Sequence, residues 1–253
     1  MSSATAPPSV PVRREGSGRR HCSCLRRWGT TALSPMSSPT VPPSVPVGGG
    51  GQWKKALQLF EEMRNNGIVP NVISYNATIS ACEKGGEWKK ALQLFQEMRN
   101  NGIQSDVISY KTIIGVCFNS CKYKEALELL QEGQSNGHFP KFSQQRSGTW
   151  DLHGFPLSVS CMLLYEALQF LVETKSQDPL SFRQIIVVTG KGLGSGPEGP
   201  VLQRGVPNFL TEISGPKITR IEGNDGAFLL HMESLQDWSR STKLKAFKQF
   251  LSV

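Results

Sequence analysis

Apolar positions in the middle of the chain recur at helical spacing, and the pattern returns after 35 residues. Residues 53–68 read WKKALQLFEEMRNNGI and residues 88–103 read WKKALQLFQEMRNNGI, identical at 15 of 16 positions. In the first copy the charged side chains avoid one helix face, and the apolar residues on that face are Trp53, Ala56, Leu57, Phe60 and Met63. The spacing therefore predicts an amphipathic helix in each copy.

A second apolar stripe precedes each of these helices. It begins with the letters VISY at residue 72 and again at residue 107, and a diverged third copy of the first pattern covers residues 123–138. A glycine follows each predicted helix, at Gly67, Gly102 and Gly137. Each period thus predicts a helix–turn–helix unit, and units that bury their apolar faces by stacking form an α-solenoid.

The period and the phrase VISYN…ALQLFQEMRNNGI closely resemble the pentatricopeptide repeat (PPR). The resemblance covers residues 72–106 and 107–141 as repeats and residues 52–71 as a half repeat. Members of that family bind single-stranded RNA, and each repeat presents side chains to one unstacked base. The resemblance therefore implies RNA as a partner, although α-solenoids also serve as protein-interaction scaffolds.

The base-reading positions in that family are the fifth and the last residue of each repeat. In the first full repeat they are Asn76 and Asp106, a pair that by resemblance favours uridine, while Asn76 alone could equally be an ordinary exposed helix residue. In the second they are Lys111 and Lys141, which depart from the usual small polar and Asn or Asp choices. Two lysines could instead hold phosphate.

From residue 149 onward the pattern alternates between strands and helices. A short strand is predicted to end with residues 150–154, and further strands to cover 184–189, 218–222 and 227–231. Helices are predicted at residues 157–174, at 201–213 and at the C-terminus. The second strand leads into a Gly-rich turn at residues 190–196. This order predicts a small α/β sandwich over residues 149–253, so the chain is expected to be multidomain.

Four short motifs in this segment resemble the small MutS-related (Smr) domain. They are Asp-Leu-His-Gly at residues 151–154, the apolar strand at residues 184–189, the turn TGKGLGS at residues 189–195 and EGPVL at residues 198–202. The resemblance spans residues 149–238. The resemblance implies a nucleic-acid-binding domain with nuclease activity in some members, and its fusion to PPR repeats is a familiar organellar architecture. Thr189 stands where many members have His.

The residues themselves suggest phosphodiester chemistry. Asp151 and His153 should project from the same face of a strand, so one could activate water while the other transfers a proton. Lys191, with the backbone N–H groups of Gly190 and Gly192, could hold a phosphate. A structural pair that caps the turn is the alternative for Asp151 and His153. No metal or cofactor set is predicted, although a nuclease could use Mg²⁺.

Residues 1–51 are rich in Ser, Pro, Gly, Thr and Arg and are predicted to form a disordered leader. Within them six arginines face one acid, Glu15, which is typical of a mitochondrial or plastid transit peptide but also of a basic linker. The whole chain carries a net charge of +8, which suits a polyanionic partner. No apolar run approaches the roughly 18 residues of a membrane span, so no membrane association is expected.

The helix that should precede Trp53 is replaced by a Pro- and Gly-rich stretch. A protein partner or self-association could cover the apolar face that is left open. Three functions remain: an organellar RNA-binding protein, an endoribonuclease that uses Asp151 and His153, and a protein-interaction scaffold.

Overall fold

The computed structural model describes residues 52–142, 148–173, 184–192, 199–241 and 244–245. Its N-terminal region consists of helices α1 (Gln52–Asn65), α2 (Val72–Gly85), α3 (Trp88–Asn100), α4 (Val107–Asn119) and α5 (Tyr123–Ser135). These helices confirm the predicted helix–turn–helix repeats. The predicted disordered leader, residues 1–51, lies outside the described residues.

The helices stack as the periodic pattern predicts. Helix α2 packs on α3 and α4 packs on α5 within their repeats, while α4 also packs on α2 of the preceding repeat. Tyr75, Ile79 and Cys82 of the second stripe are all buried. Gly67, Gly102 and Gly137 have positive φ angles, which glycine adopts without steric cost, and this confirms the predicted turns after α1, α3 and α5.

Helices α1 and α3 have nearly the same sequence but different surroundings. Leu94 on α3 packs against its own repeat and is 4% exposed, whereas Leu59 at the equivalent position of α1 is 38% exposed. Met98 is likewise buried, while its counterpart Met63 is only half-buried. The side of α1 that carries Leu59 therefore lacks a covering helix. The face that the sequence predicted to lie open is instead partly covered by α2, because its Phe60 is buried and packs edge-on against Tyr75 at 4.8 Å between ring centroids.

The C-terminal region contains β1 (Thr149–Asp151), α6 (Leu157–Glu173), β2 (Ile185–Val188), α7 (Val201–Glu212), β3 (Ile218–Ile221), β4 (Asn224–Leu230) and α8 (Met232–Arg240). The sheet order is β1-β2-β4-β3, with β1 parallel to β2 and the other pairs antiparallel. The predicted alternation is confirmed, whereas the Smr assignment stays a prediction. Strand β4 begins earlier than predicted because Asn224 pairs with Ile221 across a tight turn.

The two regions share one apolar core. Helix α6 packs on both α4 and α5. The rings of Phe118 and Phe209 lie 6.0 Å apart, and those of Phe139 and Phe155 lie 6.1 Å apart. In the described residues of the chain, no helix is both long and apolar enough to cross a lipid bilayer.

Helix α4 begins at a capping box formed by Asp106 and Ser109. The Ser109 N–H donates to Oδ1 of Asp106 at 2.7 Å, and the Asp106 N–H donates to the Ser109 hydroxyl at 3.3 Å. Burial alone would raise the pKa of the Asp106 carboxyl. Hydrogen bonds from Ser109, Asn76 and the Ile108 N–H outweigh burial and hold this pKa below its ordinary value of 3.8.

The near-identity of α1 and α3 allows a matched stability test. We expect Leu94→Ala to lower the free energy of unfolding by about 2–5 kcal/mol, because it leaves a cavity between α2 and α3. Leu59→Ala should cost about 1 kcal/mol or less, since its side chain is already exposed. Urea unfolding followed by far-UV circular dichroism measures both, and equal costs would contradict the difference in packing.

The depressed pKa of Asp106 predicts a stability that depends on pH. Its contribution is present above the ordinary pKa of 3.8 and is lost as the pH falls through the lower pKa of the folded state. Between neutral pH and this acidic range, the wild-type protein should lose more stability than Asp106→Asn, by under about 1 kcal/mol because the carboxyl is partly exposed. Parallel unfolding curves at each pH test this, and identical pH slopes would refute it.

Candidate nucleic-acid interface

One buried tyrosine in each repeat fixes the helix that carries the predicted base-reading residue. Tyr75 of α2 is buried, and its hydroxyl donates to Oε1 of Glu97 at 3.2 Å and accepts from Nδ2 of Asn101 at 2.9 Å. Glu97 also forms an ion pair with Arg64 of α1, at 2.7 Å between Oε1 and Nη1. This cluster ties α1, α2 and α3 together around the tyrosine.

The same cluster returns 35 residues later. The Tyr110 hydroxyl donates to Glu132 and accepts from Asn136, each at 2.9 Å. Glu132 pairs in turn with Arg99 at 2.8 Å. Nothing in the helical pattern pointed to these polar residues, although the 35-residue recurrence of all four types was visible in the sequence.

Asn76 and Asp106, the predicted uridine pair, lie side by side. Asn76 follows the buried Tyr75 on α2, and its side-chain amide lies close enough to the Asp106 carboxyl at the start of α4 to help lower the pKa of that carboxyl. The other amide atom, Oδ1 of Asn76, is buried and has no hydrogen-bond partner among the described residues. The structure thus brings these two predicted residues together with one polar atom unsatisfied.

Two isoleucines that were not predicted as site residues flank this pair. Ile73 is 51% exposed and Ile108 is 58% exposed, although both are large and apolar. Each lies three residues before a base-reading position, Asn76 or Lys111, and therefore on the same helix face. The sequence signal was the repeated second letter of VISY, which falls outside the buried stripe. These side chains offer flat apolar contacts beside the polar pair.

The second pair of base-reading positions has different surroundings. The Lys111 ammonium lies 5.3 Å from the centre of the Phe155 ring, which belongs to the turn after β1. Lys141 lies near Glu166 of α6, where its charge opposes the effect of burial on the Glu166 pKa. Both lysines therefore lie beside the C-terminal region.

Asp151 and His153 lie together at the carboxyl end of β1. Nδ1 of His153 is 2.6 Å from Oδ1 of Asp151, and the His153 N–H donates to the same oxygen at 3.1 Å. Both side chains are exposed, while Leu152 between them is fully buried, as predicted. The bond from the His153 N–H to Asp151 fits a structural role in which Asp151 caps the turn. The two side chains also remain accessible from solvent.

The Gly-rich turn begins beside this pair because β1 and β2 are parallel. A Cβ atom at Gly190 would lie 3.2 Å from that of His153. Lys191 is exposed next to it, and residues 193–198 of the predicted turn and its flank lie outside the described residues. One expectation needs correction: the Gly190 N–H is not free for a phosphate, since it donates to the Gly226 carbonyl at 3.1 Å. Phosphate contact at this edge would fall to Lys191 and Gly192.

The remaining sulfur and acidic groups suggest no further chemistry. Burial raises the pKa of Cys82 to about 11 and that of Cys117 to about 12, so both thiols stay protonated at neutral pH. Among the described residues, no group of three or more His, Cys, Asp or Glu side chains is placed to hold a metal ion.

Comparison with known families supports the interpretation of the helical region. The PPR repeat family model matches residues 49–84 and 70–119, and the PPR repeat model matches residues 108–138. No curated protein matches the chain. PPR repeats imply RNA binding, and they generally bind single-stranded RNA. Residues 49–138 of the chain are therefore PPR repeats.

Proposed function

We propose that this chain binds single-stranded RNA, with Asn76 and Asp106 holding one uridine and the C-terminal region contacting neighbouring phosphates. The observation that carries the proposal is the closeness of the Asn76 amide to the Asp106 carboxyl, together with the buried, unpartnered Oδ1 of Asn76. A carboxylate only accepts hydrogen bonds, so it takes an N–H of Asn76 and leaves Oδ1 as the group available to a base.

An amide that offers its oxygen to the base accounts for a preference for uridine over cytidine. Uracil presents an N–H donor at N3, whereas cytosine presents an acceptor at the same atom. Oδ1 of Asn76 has no partner among the described residues, and a rotation of the side chain would bring this acceptor to the uracil N–H. A satisfied acceptor recovers free energy that an unpaired one loses, about 1–3 kcal/mol.

The surroundings of the pair support binding of an unstacked base. Ile73 and Ile108 provide exposed apolar surface on the same helix faces, which suits the flat face of a base. The lysines at positions 111, 141 and 191 supply positive charge for the sugar–phosphate backbone. We also propose a mitochondrial or plastid location and a role in organellar RNA metabolism, supported by the six arginines and single acid in residues 1–51.

A second candidate function is endoribonuclease activity in the C-terminal region. It is favoured by the exposed pair of Asp151 and His153, whose Oδ1 and Nδ1 atoms lie 2.6 Å apart. Lys191 follows β2 at the same edge of the sheet. In such a reaction His153 would transfer a proton, Asp151 would orient the imidazole and Lys191 would stabilise the charge on the phosphate. Open α/β sheets commonly bind ligands at the carboxyl ends of their strands.

Asp106→Asn tests the uridine proposal by reversing one hydrogen bond. The new amide can donate to Oδ1 of Asn76, so the Asn76 N–H groups become available to the acceptor at N3 of cytosine. We expect the preference to change from uridine to cytidine, with each preference worth about 1–3 kcal/mol, or roughly 5- to 150-fold in affinity. Fluorescence anisotropy with oligoadenosine strands that carry one central uridine or cytidine measures it.

Asn71→Asp is the matched control for that experiment. Asn71 caps α2 in the same way, with the Ser74 N–H donating to its Oδ1 at 3.0 Å, but it does not contact Asn76 in the described structure. Its substitution should leave the base preference unchanged. An unchanged uridine preference in Asp106→Asn would contradict the proposed polarity. No binding of any strand at low salt would contradict RNA binding and favour a protein-interaction scaffold.

Asp151→Asn tests the second candidate. If the pair cleaves RNA, this variant should cut at least about 100-fold more slowly, since general acid–base groups typically contribute about 10²–10⁴ in rate. Its affinity for the strand should stay unchanged. Gel assays with and without Mg²⁺ measure cleavage, and Asp237→Asn on α8 serves as an exposed control in the same region of the chain. Cleavage preserved in Asp151→Asn would remove this assignment.

A further inference from the structure

The predicted base-reading residues of the last repeat lie beside the C-terminal region. Lys111 directs its ammonium over the Phe155 ring at 5.3 Å. Burial raises the pKa of the Glu166 carboxyl, while a hydrogen bond from Gln134 and the charge of Lys141 lower it, which places Lys141 beside α6. The Lys111 ammonium thus contacts the C-terminal region, and Lys141 lies close enough to α6 for its charge to act on Glu166.

Helix α6 takes the position that a further repeat would occupy. It packs on α4 and α5, just as α4 packs on α2 and α3 one repeat earlier. A Cβ atom at Gly115 of α4 would lie 3.6 Å from the Ser158 hydroxyl of α6, so the two helices approach closely there. The surface that carries Ile73, Asn76 and Lys111 therefore continues directly into the turn that precedes α6.

That turn also carries the Asp–His pair. His153 lies two residues before Phe155, and two residues span at most about 7 Å of chain. Phe155 is held by the ring of Phe139 at 6.1 Å, so the turn is fixed to the end of the repeats. The Lys111 ammonium therefore contacts a ring that lies only two residues along the chain from the exposed His153.

We infer that Lys111 binds the RNA phosphate next to the uridine held by Asn76 and Asp106, and so delivers the strand to Asp151 and His153. This inference rests on the proposed function. It assigns Lys111 to phosphate rather than base recognition, and it joins the last repeat and the C-terminal region into a single composite site. The strand enters this site at a fixed register, set by the uridine.

Phe155 acts in this site as a positioning residue. A cation over an aromatic ring is attracted by the ring's negative face, and this attraction holds the Lys111 ammonium beside the turn that follows β1. An ammonium is a point charge that suits a phosphate oxygen, and it carries no pattern of donors and acceptors that would select one base.

The experiment is a coupling cycle between Lys111 and single phosphates. Strands with one central uridine carry a neutral methylphosphonate at one phosphate at a time on either side of it. We expect neutralisation of the adjacent phosphate on one side to weaken wild-type binding several-fold and to have no effect on Lys111→Ala. Lys111→Ala should weaken uridine and cytidine strands equally and reduce the salt slope of log K by about 0.7. Phe155→Leu, which keeps apolar bulk, should weaken the coupling to that phosphate.

Lys89→Ala is the matched control. The Lys89 ammonium also lies over an aromatic ring, Trp88 at 5.6 Å, but on α3 rather than on the surface of α2 and α4. It should show no coupling to any of these phosphates. Coupling of Lys111 to a distant phosphate, or to none, would overturn the inference even where the uridine preference persists. Loss of RNA binding in the wild-type protein would instead refute the proposed function.

Discussion

The hydroxyl of one buried tyrosine per repeat fixes the helix that carries the proposed base-reading side chain. A buried hydroxyl without partners would cost about 1–3 kcal/mol, so Tyr75 adopts the one placement in which Glu97 and Asn101 satisfy it. Because Asn76 is the next residue on α2, its direction on the helix follows from that placement. Arg64 joins the same Glu97 from the preceding helix, so the stacking of helices and the direction of Asn76 depend on one cluster.

The sequence predicted the helices well because their apolar faces recur every 35 residues, and burial of such faces is what drives the stacking. It did not predict the polar clusters, since Tyr75 on α2 looks like a member of the apolar stripe, while Glu97 and Asn101 look like ordinary polar residues at the end of α3. Asp151 and His153 were predicted as a pair from strand spacing, but β1 ends at Asp151, so His153 lies in the following turn and hydrogen bonds within that turn join the two residues. The occupied Gly190 N–H was missed because its partner, Gly226, lies on β4 and no local pattern reports it.

The two ends of the repeats show that burial is set by neighbours rather than by the helix sequence. Leu59 and Leu94 have the same local sequence, yet only Leu94 is covered, because α2 precedes α3 and packs on it while no described helix precedes α1. At the other end α6 covers α4 and α5. Repeat proteins need such caps to end their apolar stack. The cap here also brings the turn that carries His153 and Phe155 against the last repeat, where the Phe155 ring contacts Lys111 and Phe139.

Asp106 shows how helix formation and base recognition can depend on different properties of one side chain. Capping of α4 requires an oxygen that accepts the Ser109 N–H, and Asn71 meets the same need at α2 with an amide oxygen. Contact with Asn76 requires more, because only a group that accepts on both oxygens determines which end of the Asn76 amide is left for a base. The fold therefore tolerates either residue at this position, whereas the proposed base preference depends on which of the two is present.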